Sequence, residues 1–164
     1  MDIEKKEGFL RIAIFFGVAI LVLCVDQFTK NAVSGYEVGE EIAIIIPSFL
    51  RLTLVHNTGA AWGMFGDWTN GLVVVALVVC ALIVAFVFFV GKDKNMMTIV
   101  SCALLFSGGI GNAIDRFTNG YVVDMIEIIA FDYPVFNIAD CAITIGVVLL
   151  VVGMLFLNRA RAYY

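Results

Sequence analysis

The sequence predicts an integral membrane protein, mainly α-helical, with four transmembrane helices and a small β-rich segment on the outer face. Three observations carry that prediction. Of 164 residues, 62% are hydrophobic and only 15% charged, against about 45–50% and about 25% in soluble domains. Four apolar runs are long enough, or extendable enough, to cross about 30 Å of hydrocarbon as helix. Between them lie two segments with strand-like patterning, the first too apolar for a free loop. The length suits one membrane domain over residues 1–164. The formal net charge of −4 decides little, because in membrane proteins the placement of charge matters more than its sum.

The first run, residues 12–25, is uncharged for 14 residues, short for a span of about 20. It becomes long enough if the helix continues through Asp26 and Lys30, which places the first span near 12–33. The run also has signal-peptide length, and Ala32, Val33 and Ser34 resemble a small-residue cleavage site. The leader "MDIEKKEGFLR" holds as many acids as bases, however, and cleavage would leave three spans, so the run is read as a retained helix. Segment 34–69 follows on the outer face. Within it 42–46 and 50–55 read as short strands, the second alternating Leu52 and Leu54 with Arg51 and Thr53. Trp62, Phe65 and Trp68 suit the membrane interface.

The second span lies near 70–90. Its uncharged stretch, 72–90, is strongly β-branched but reads as helix, because in lipid every backbone group must bond internally. The third span lies near 96–115 and ends among Ser107, Gly108, Gly109 and Gly111, small residues that let helix backbones approach closely. Segment 116–135, again on the outer face, has strand character around a Thr-Asn-Gly turn. The fourth span, near 136–157, is interrupted only by Asp140. Cys24, Cys80, Cys102 and Cys141 all sit inside apolar runs without a C-x-x-C pair, so they read as buried small hydrophobes.

Lys and Arg set the expected orientation. Lys5, Lys6, Arg11, Lys92, Lys94, Arg159 and Arg161 fall on one side, which the positive-inside rule makes cytoplasmic, with both termini there. Lys30, Arg51 and Arg116 fall on the other.

The polar residues gather toward that outer side. Asp26 and Lys30 stand at i, i+4, facing the same way. Asn57 lies in "HNTGAAWG"; Asn112, Asp115 and Arg116 close the third span in "GNAIDR"; Asp124 follows in "YVVD"; Asn137 and Asp140 open the fourth in "FNIAD". Polar groups at membrane depth usually face a bundle interior or a watery cavity and mark function. Plainer readings compete. Asp26–Lys30 reads as a helix-end ion pair, Asp115–Arg116 as a juxtamembrane anchor, and the three asparagines as partners for buried backbone. His56, the only histidine, lacks the companions of a metal site.

Asp124 and Asp140 resist such readings, having no basic neighbour within four residues. Two carboxyls brought together cannot both ionise, so one proton is shared and their titrations separate. One then serves as general base toward water and the other as general acid. Other hydrolytic schemes fit worse. The chain has no H-E-x-x-H zinc motif and no G-x-S-x-G elbow. A Ser–His pair would need His56, and a Ser–Lys pair would need Lys30.

Together, "VDQFTK" (25–30), "NTGAAWG" (57–63), "GGIGNAIDR" (108–116), "VVD" (122–124) and "FNIADCAITIG" (136–146) resemble the ordered blocks of the bacterial lipoprotein signal peptidases, the type II signal peptidases. The resemblance implies an aspartyl endopeptidase of the bacterial cytoplasmic (inner) membrane, multi-pass, with its active site toward the outer face. Its partners would be the prolipoprotein signal peptide with its diacylglyceryl cysteine, membrane lipid and globomycin-type inhibitors. Cleavage would fall just before the lipidated cysteine. The catalytic pair falls on Asp124 and Asp140, and supporting positions fall on Asp26, Lys30, Asn57, Asn112, Asp115, Arg116 and Asn137. No metal or organic cofactor and no nucleic acid are implied, and a monomer is expected. Cys141 stands where serine is common and Met125 where phenylalanine is common; neither replaces a titrating group. A proton-coupled transporter or channel subunit, using Asp140 and Asp26 as a relay, is the alternative from another class.

Overall fold

The computed structural model describes residues 3–59, 68–90 and 95–157. Trp62, Phe65, Lys92, Lys94, Arg159 and Arg161, which entered the interface and orientation arguments, lie outside the described residues. Helix α1 runs over Ile3–Val33, α2 over Thr69–Ala85, α3 over Met96–Asn119 and α4 over Ile138–Val152. Wider π-type turns, Phe86–Val90 and Gly153–Leu157, extend α2 and α4. Four helical stretches are long and apolar enough to cross a membrane: Lys5–Val33, Thr69–Phe89, Met96–Asn119 and Ile138–Leu155.

The helix ends have local causes. At the start of α3, the Asn95 side chain accepts from Thr98 N at 2.9 Å, meeting one of the amides that a helix N-terminus leaves unpaired. The same helix stops at Gly120, whose left-handed φ of 81° closes a bond from its N–H to Arg116 O, a turn that glycine makes at least cost. Helix α3 therefore runs four residues beyond 115. Helix α4 begins at Ile138, two residues later than the apolar run, because Phe136 is held by strand-like bonds to Ile126 at 2.8 and 3.0 Å.

Strands β1 (Glu41–Ile46), β2 (Leu50–Asn57) and β3 (Val122–Ile128) form one antiparallel sheet in that order. A tight turn through Ser48, at φ 60°, joins β1 to β2. Register shifts interrupt both pairings, and the second, between Leu52 and Val55, sets Val55 opposite Asp124 and Asn57 opposite Val122. Arg51 fastens all three strands, donating to Glu127 at 2.7 and 2.8 Å and to Glu41 at 3.0 Å. This bidentate pairing holds the Glu127 carboxyl below the usual carboxylate range.

Two apolar clusters bracket a polar layer. Phe15, Ala19, Val87, Ile99, Cys102 and Ala103 form one, among the helices. Val33, Leu54, Val123 and Met125 form the other, where the sheet meets the end of α1. Cys80 and Cys102 are buried, Cys141 is half-buried and Cys24 is exposed; in lipid an apolar residue gains nothing by turning inward, so the expectation of burial fails for Cys24 and is met only in part by Cys141.

Candidate active site

The buried residues of α1 are Phe15, Ala19, Asp26, Lys30 and Val33, one helical stripe whose lower part is apolar and whose upper part is charged. On α3, Gly108, Gly111, Asn112 and Asp115 fall at i, i+3, i+4 and i+7, the spacing of a single face. Glycine there is a matter of space. A Cβ at Gly111 would lie 2.5 Å from Asp26 Oδ2, and one at Gly108 would meet Ala139 O and lie 2.6 Å from Ile143 Cγ1. The two glycines thus bring α1 and α4 against α3.

Three helices and the sheet converge in the polar layer between the clusters. Lys30 Nζ lies 2.9 Å from Asp26 Oδ2 and 3.1 Å from Asp115 Oδ2, and donates to Asn112 Oδ1 at 3.0 Å. Gln27 Nε2 bridges Asp26 and Asp115, at 3.2 Å from each. The carboxylates also hold backbone: Asp26 Oδ1 accepts from Ala139 N at 2.9 Å, and Asp115 Oδ2 from Val123 N at 3.0 Å. Asp115 is therefore no juxtamembrane anchor. It is buried and ties α3 to β3, where a carboxylate needs such partners to be tolerated away from water.

Above this layer stand the two isolated carboxyls. Asp124, on β3, is 1% exposed and accepts from Asn57 Nδ2 at 2.9 Å and Asn137 Nδ2 at 2.7 Å. Asp140, in the first turn of α4, accepts from Asn112 Nδ2 at 2.8 Å and from Asn137 N at 3.2 Å. Asn137 and Asp140 form a reciprocal capping box, since Asp140 N in turn donates to Asn137 Oδ1 at 2.9 Å. Asn137 thus touches both carboxyls, one through its side chain and one through its backbone. Its Nδ2 also lies 3.1 Å from Asn112 Oδ1.

Both carboxyls line one cavity of about 350 Å³, with Asn57, Asn112, Arg116, Tyr133, Phe136 and Thr144 among its other walls. Arg116 spans its rim, donating to Gly59 O at 2.8 Å and Asn112 O at 3.4 Å. Its Nε has no hydrogen-bond partner among the described residues. Burial pushes the Asp124 carboxyl up to about 7; the nearby Asp140 charge adds to the rise, against the downward pull of the Asn57 and Asn137 bonds and of Lys30. Among the described residues no group of three or more His, Cys, Asp or Glu side chains is placed to hold a metal ion. His56 stacks on Tyr121, ring centroids 3.7 Å apart.

All nine residues singled out from the sequence enter this one connected network. The asparagine amides serve the carboxyls rather than merely the backbone. Sequence reasoning missed Gln27, although it sits beside Asp26 in the first block, and it missed the wall supplied by Tyr133 and Phe136. The capping box, N-x-x-D at 137–140, was a legible signal for the geometry of Asp140.

Comparison with known proteins bears on the chain as a whole. The signal peptidase (SPase) II family profile matches residues 18–156. A lipoprotein signal peptidase of Staphylococcus carnosus (strain TM300) is 39% identical over 157 residues, 94% of this chain and 97% of the relative. That of Staphylococcus haemolyticus (strain JCSC1435) is 36% identical over 155 residues, 92% and 95% of the two chains. Two solved structures of bacterial membrane enzymes superpose with TM-scores of 0.81 and 0.78, at 33% and 35% identity, each over 88% of this chain and over 88% and 94% of their own. With four membrane-length helices and relatives matched nearly end to end, the chain belongs to the signal peptidase II family and is a multi-pass membrane peptidase.

Proposed function

We propose that the protein removes the signal peptide from diacylglyceryl-modified prolipoproteins, cutting before the lipidated cysteine, as an intramembrane aspartyl endopeptidase with Asp124 and Asp140 as its catalytic pair. The observation that carries this reading is the convergence of two carboxyls from separate elements on one cavity, joined through Asn137. The names of the relatives supply the substrate class. By the distribution of Lys and Arg, the termini are cytoplasmic and the cavity opens toward the outer face of the bacterial cytoplasmic membrane.

Cleavage runs as two proton exchanges. Asp140, half-buried where Asp124 is fully buried, serves as the base and takes a proton from water as the water oxygen attacks the scissile carbonyl. Asp124, protonated below about pH 7, gives its proton to the carbonyl oxygen, forming a neutral gem-diol. Asp140 then passes its proton to the amine as the C–N bond breaks, and Asp124 recovers one from the collapsing diol. The pair carries one proton throughout, so its titration belongs to both groups. Arg116 puts a cation on the same wall, where it favours negative charge building on the carbonyl oxygen. No covalent intermediate forms, and an acyl-enzyme trapped by hydroxylamine during turnover would contradict the scheme.

Substrate is held in part by lipid contacts. Ile44, Ile45 and Ile46 are 56%, 53% and 48% exposed, three consecutive apolar residues that leave both faces of β1 uncovered. They rest in the leaflet beside the acyl chains. The chain works as a monomer, and globomycin-type inhibitors take the same cavity.

The deciding experiment is cleavage of a lipobox peptide carrying a diacylglyceryl cysteine in detergent micelles. The wild type should cut before the modified cysteine, while Asp124→Asn and Asp140→Asn, each folded, should not. A wild type that never cuts would remove the substrate assignment. A single variant that keeps full activity would remove the pairing.

A further inference from the structure

We propose that Lys30 is a positioning residue: its buried ammonium fixes which way the Asn112 amide faces and, through that amide, supplies N–H donors to both carboxyls. The proposal rests on the reading of Asp124 and Asp140 as the reacting pair.

An ammonium has three hydrogens, and the structure uses each once: on Asp26 Oδ2, on Asp115 Oδ2 and on Asn112 Oδ1. The first two neutralise charge and would suffice for a structural ion pair. The third does something else. Asn112 Oδ1 accepts from Lys30 Nζ at 3.0 Å and from Asn137 Nδ2 at 3.1 Å, which fills both its lone pairs. Asn112 Nδ2 is thereby turned to Asp140 Oδ1, at 2.8 Å. Reversed, the amide would set N–H against an ammonium and against the Asn137 amide, and a carbonyl oxygen against a carboxylate. Three hydrogen bonds would become three repulsions.

The orientation propagates. With Asn112 Oδ1 held as an acceptor, Asn137 Nδ2 donates to Asp124 Oδ1 at 2.7 Å and shares its other hydrogen between Asn112 Oδ1 at 3.1 Å and Val123 O at 3.4 Å. Asn137 Oδ1 is left to accept from Asp140 N. One cation, 3% exposed, so sets the direction of the Asn112 amide and reinforces that of Asn137, which the capping box also holds, without touching either reacting carboxyl; Asn57, the other donor to Asp124, is oriented separately by Gly59 N. Buried polar networks of this kind are worth having only when each member is satisfied. The charged groups that bear on the pair are Asp26 and Lys30 from α1, Asp115 and Arg116 from α3, and each carboxyl on the other; α2 supplies none.

Removing Lys30 alone strands two buried carboxylates and risks the fold. The test is therefore the double variant Lys30→Met/Asp115→Asn, which leaves no side-chain donor at position 30. The wild-type cluster has two carboxylates and one ammonium, a net charge of −1; the double variant keeps one carboxylate, also −1, and a side-chain oxygen at 115 for Val123 N. Measured on the diacylglyceryl-cysteine peptide, kcat should fall at least 30-fold with KM within threefold, and the limbs of the pH–kcat profile should move. The Lys30→Met/Asp115→Asn pair added to Asn112→Ala should cost little further kcat beyond Asn112→Ala alone, because both act through one amide. Unchanged kcat and pH limbs per folded enzyme, or losses that multiply, would overturn the proposal. Should the double variant not fold, Lys30→Arg, which keeps the charge but not the ammonium's three-way geometry, is read with ¹⁵N-labelled asparagine side chains: the Asn112 and Asn137 amide resonances should both move, and resonances that stay put overturn the proposal. If wild type cuts and the two aspartate variants do not, any failure here falls on Lys30 alone and leaves the proposed function standing.

Discussion

Helices α2 and α3 pack side by side, yet they are built to opposite rules. In α2 the most apolar stretch is 11% buried; in α3 it is 50% buried. The buried side chain of α2 is Cys80, whereas α3 buries Ser101, Ser107, Asn112 and Asp115 together with its small residues. In water the more apolar helix would be the core. In lipid, tails are as apolar as leucine, so apolarity no longer drives burial, and the polar and small residues mark the inside. The valine-rich face of α2 is a wall against lipid; α3 is the hub on which the site is assembled.

Breaking the hub should cost most where chemistry is lost. Asp140→Asn should lower cleavage by about 10²–10⁴-fold, the usual worth of a positioned acid or base, in the peptide assay, with the fold intact by circular dichroism. Next comes the seam that seats α1 on α3. Gly111→Ala, with its methyl 2.5 Å from Asp26 Oδ2, should destabilise by about 1–3 kcal/mol, read by thermal unfolding in micelles. Gly109→Ala gives a sharper comparison on the same helix. Its methyl faces only Cys80 Sγ on α2, at 3.0 Å, and it should cost less than Gly111→Ala; equal costs would erase the distinction between the two faces.

The pH dependence follows from Asp124. Its carboxyl is raised to about 7 in the folded protein, against about 4 for an ordinary aspartate. The folded state therefore holds the proton more tightly than the unfolded one. The stabilisation that this gives is complete below about pH 4 and is lost as pH climbs through 7. Activity should decline over the same upper range as the proton is lost. Asp124→Asn should accordingly melt a few degrees above wild type at pH 8, with the gap closing toward pH 4.

Two smaller effects probe the lipid-facing surfaces. Replacing Ile44–Ile46 by alanine should raise KM for the lipidated peptide severalfold at nearly constant kcat, and an unchanged KM would count against the proposed anchoring of substrate there. Leu82→Ala on α2, at a side chain 65% exposed, should stay within about 0.5 kcal/mol of wild-type stability.

Much of this was legible before the structure. Hydropathy and length placed four spans, because in a membrane the solvent itself selects helix. The i, i+4 spacing of Asp26 and Lys30 foretold their pairing, since a helix sets that neighbourhood locally. What spacing could not supply were the other two partners of Lys30. Asp115 and Asn112 lie more than eighty residues away along the chain, and Asp115 read equally well as a surface anchor. Nor did composition decide that Asn57 would serve Asp124; a register shift between Leu52 and Val55 brings them together.

From the sequence alone follow the membrane class, the helices, the strands and the nine polar residues worth watching, because each depends on local periodicity and on the match between side chain and solvent. The tertiary structure decided how those residues connect. Close glycine contacts set α3 against its neighbours, the sheet carried Asp124 over the first turn of α4, and the buried ammonium of Lys30 oriented the amides between the two carboxyls. These are long-range contacts, fixed by how rigid elements pack, and no local pattern encodes them.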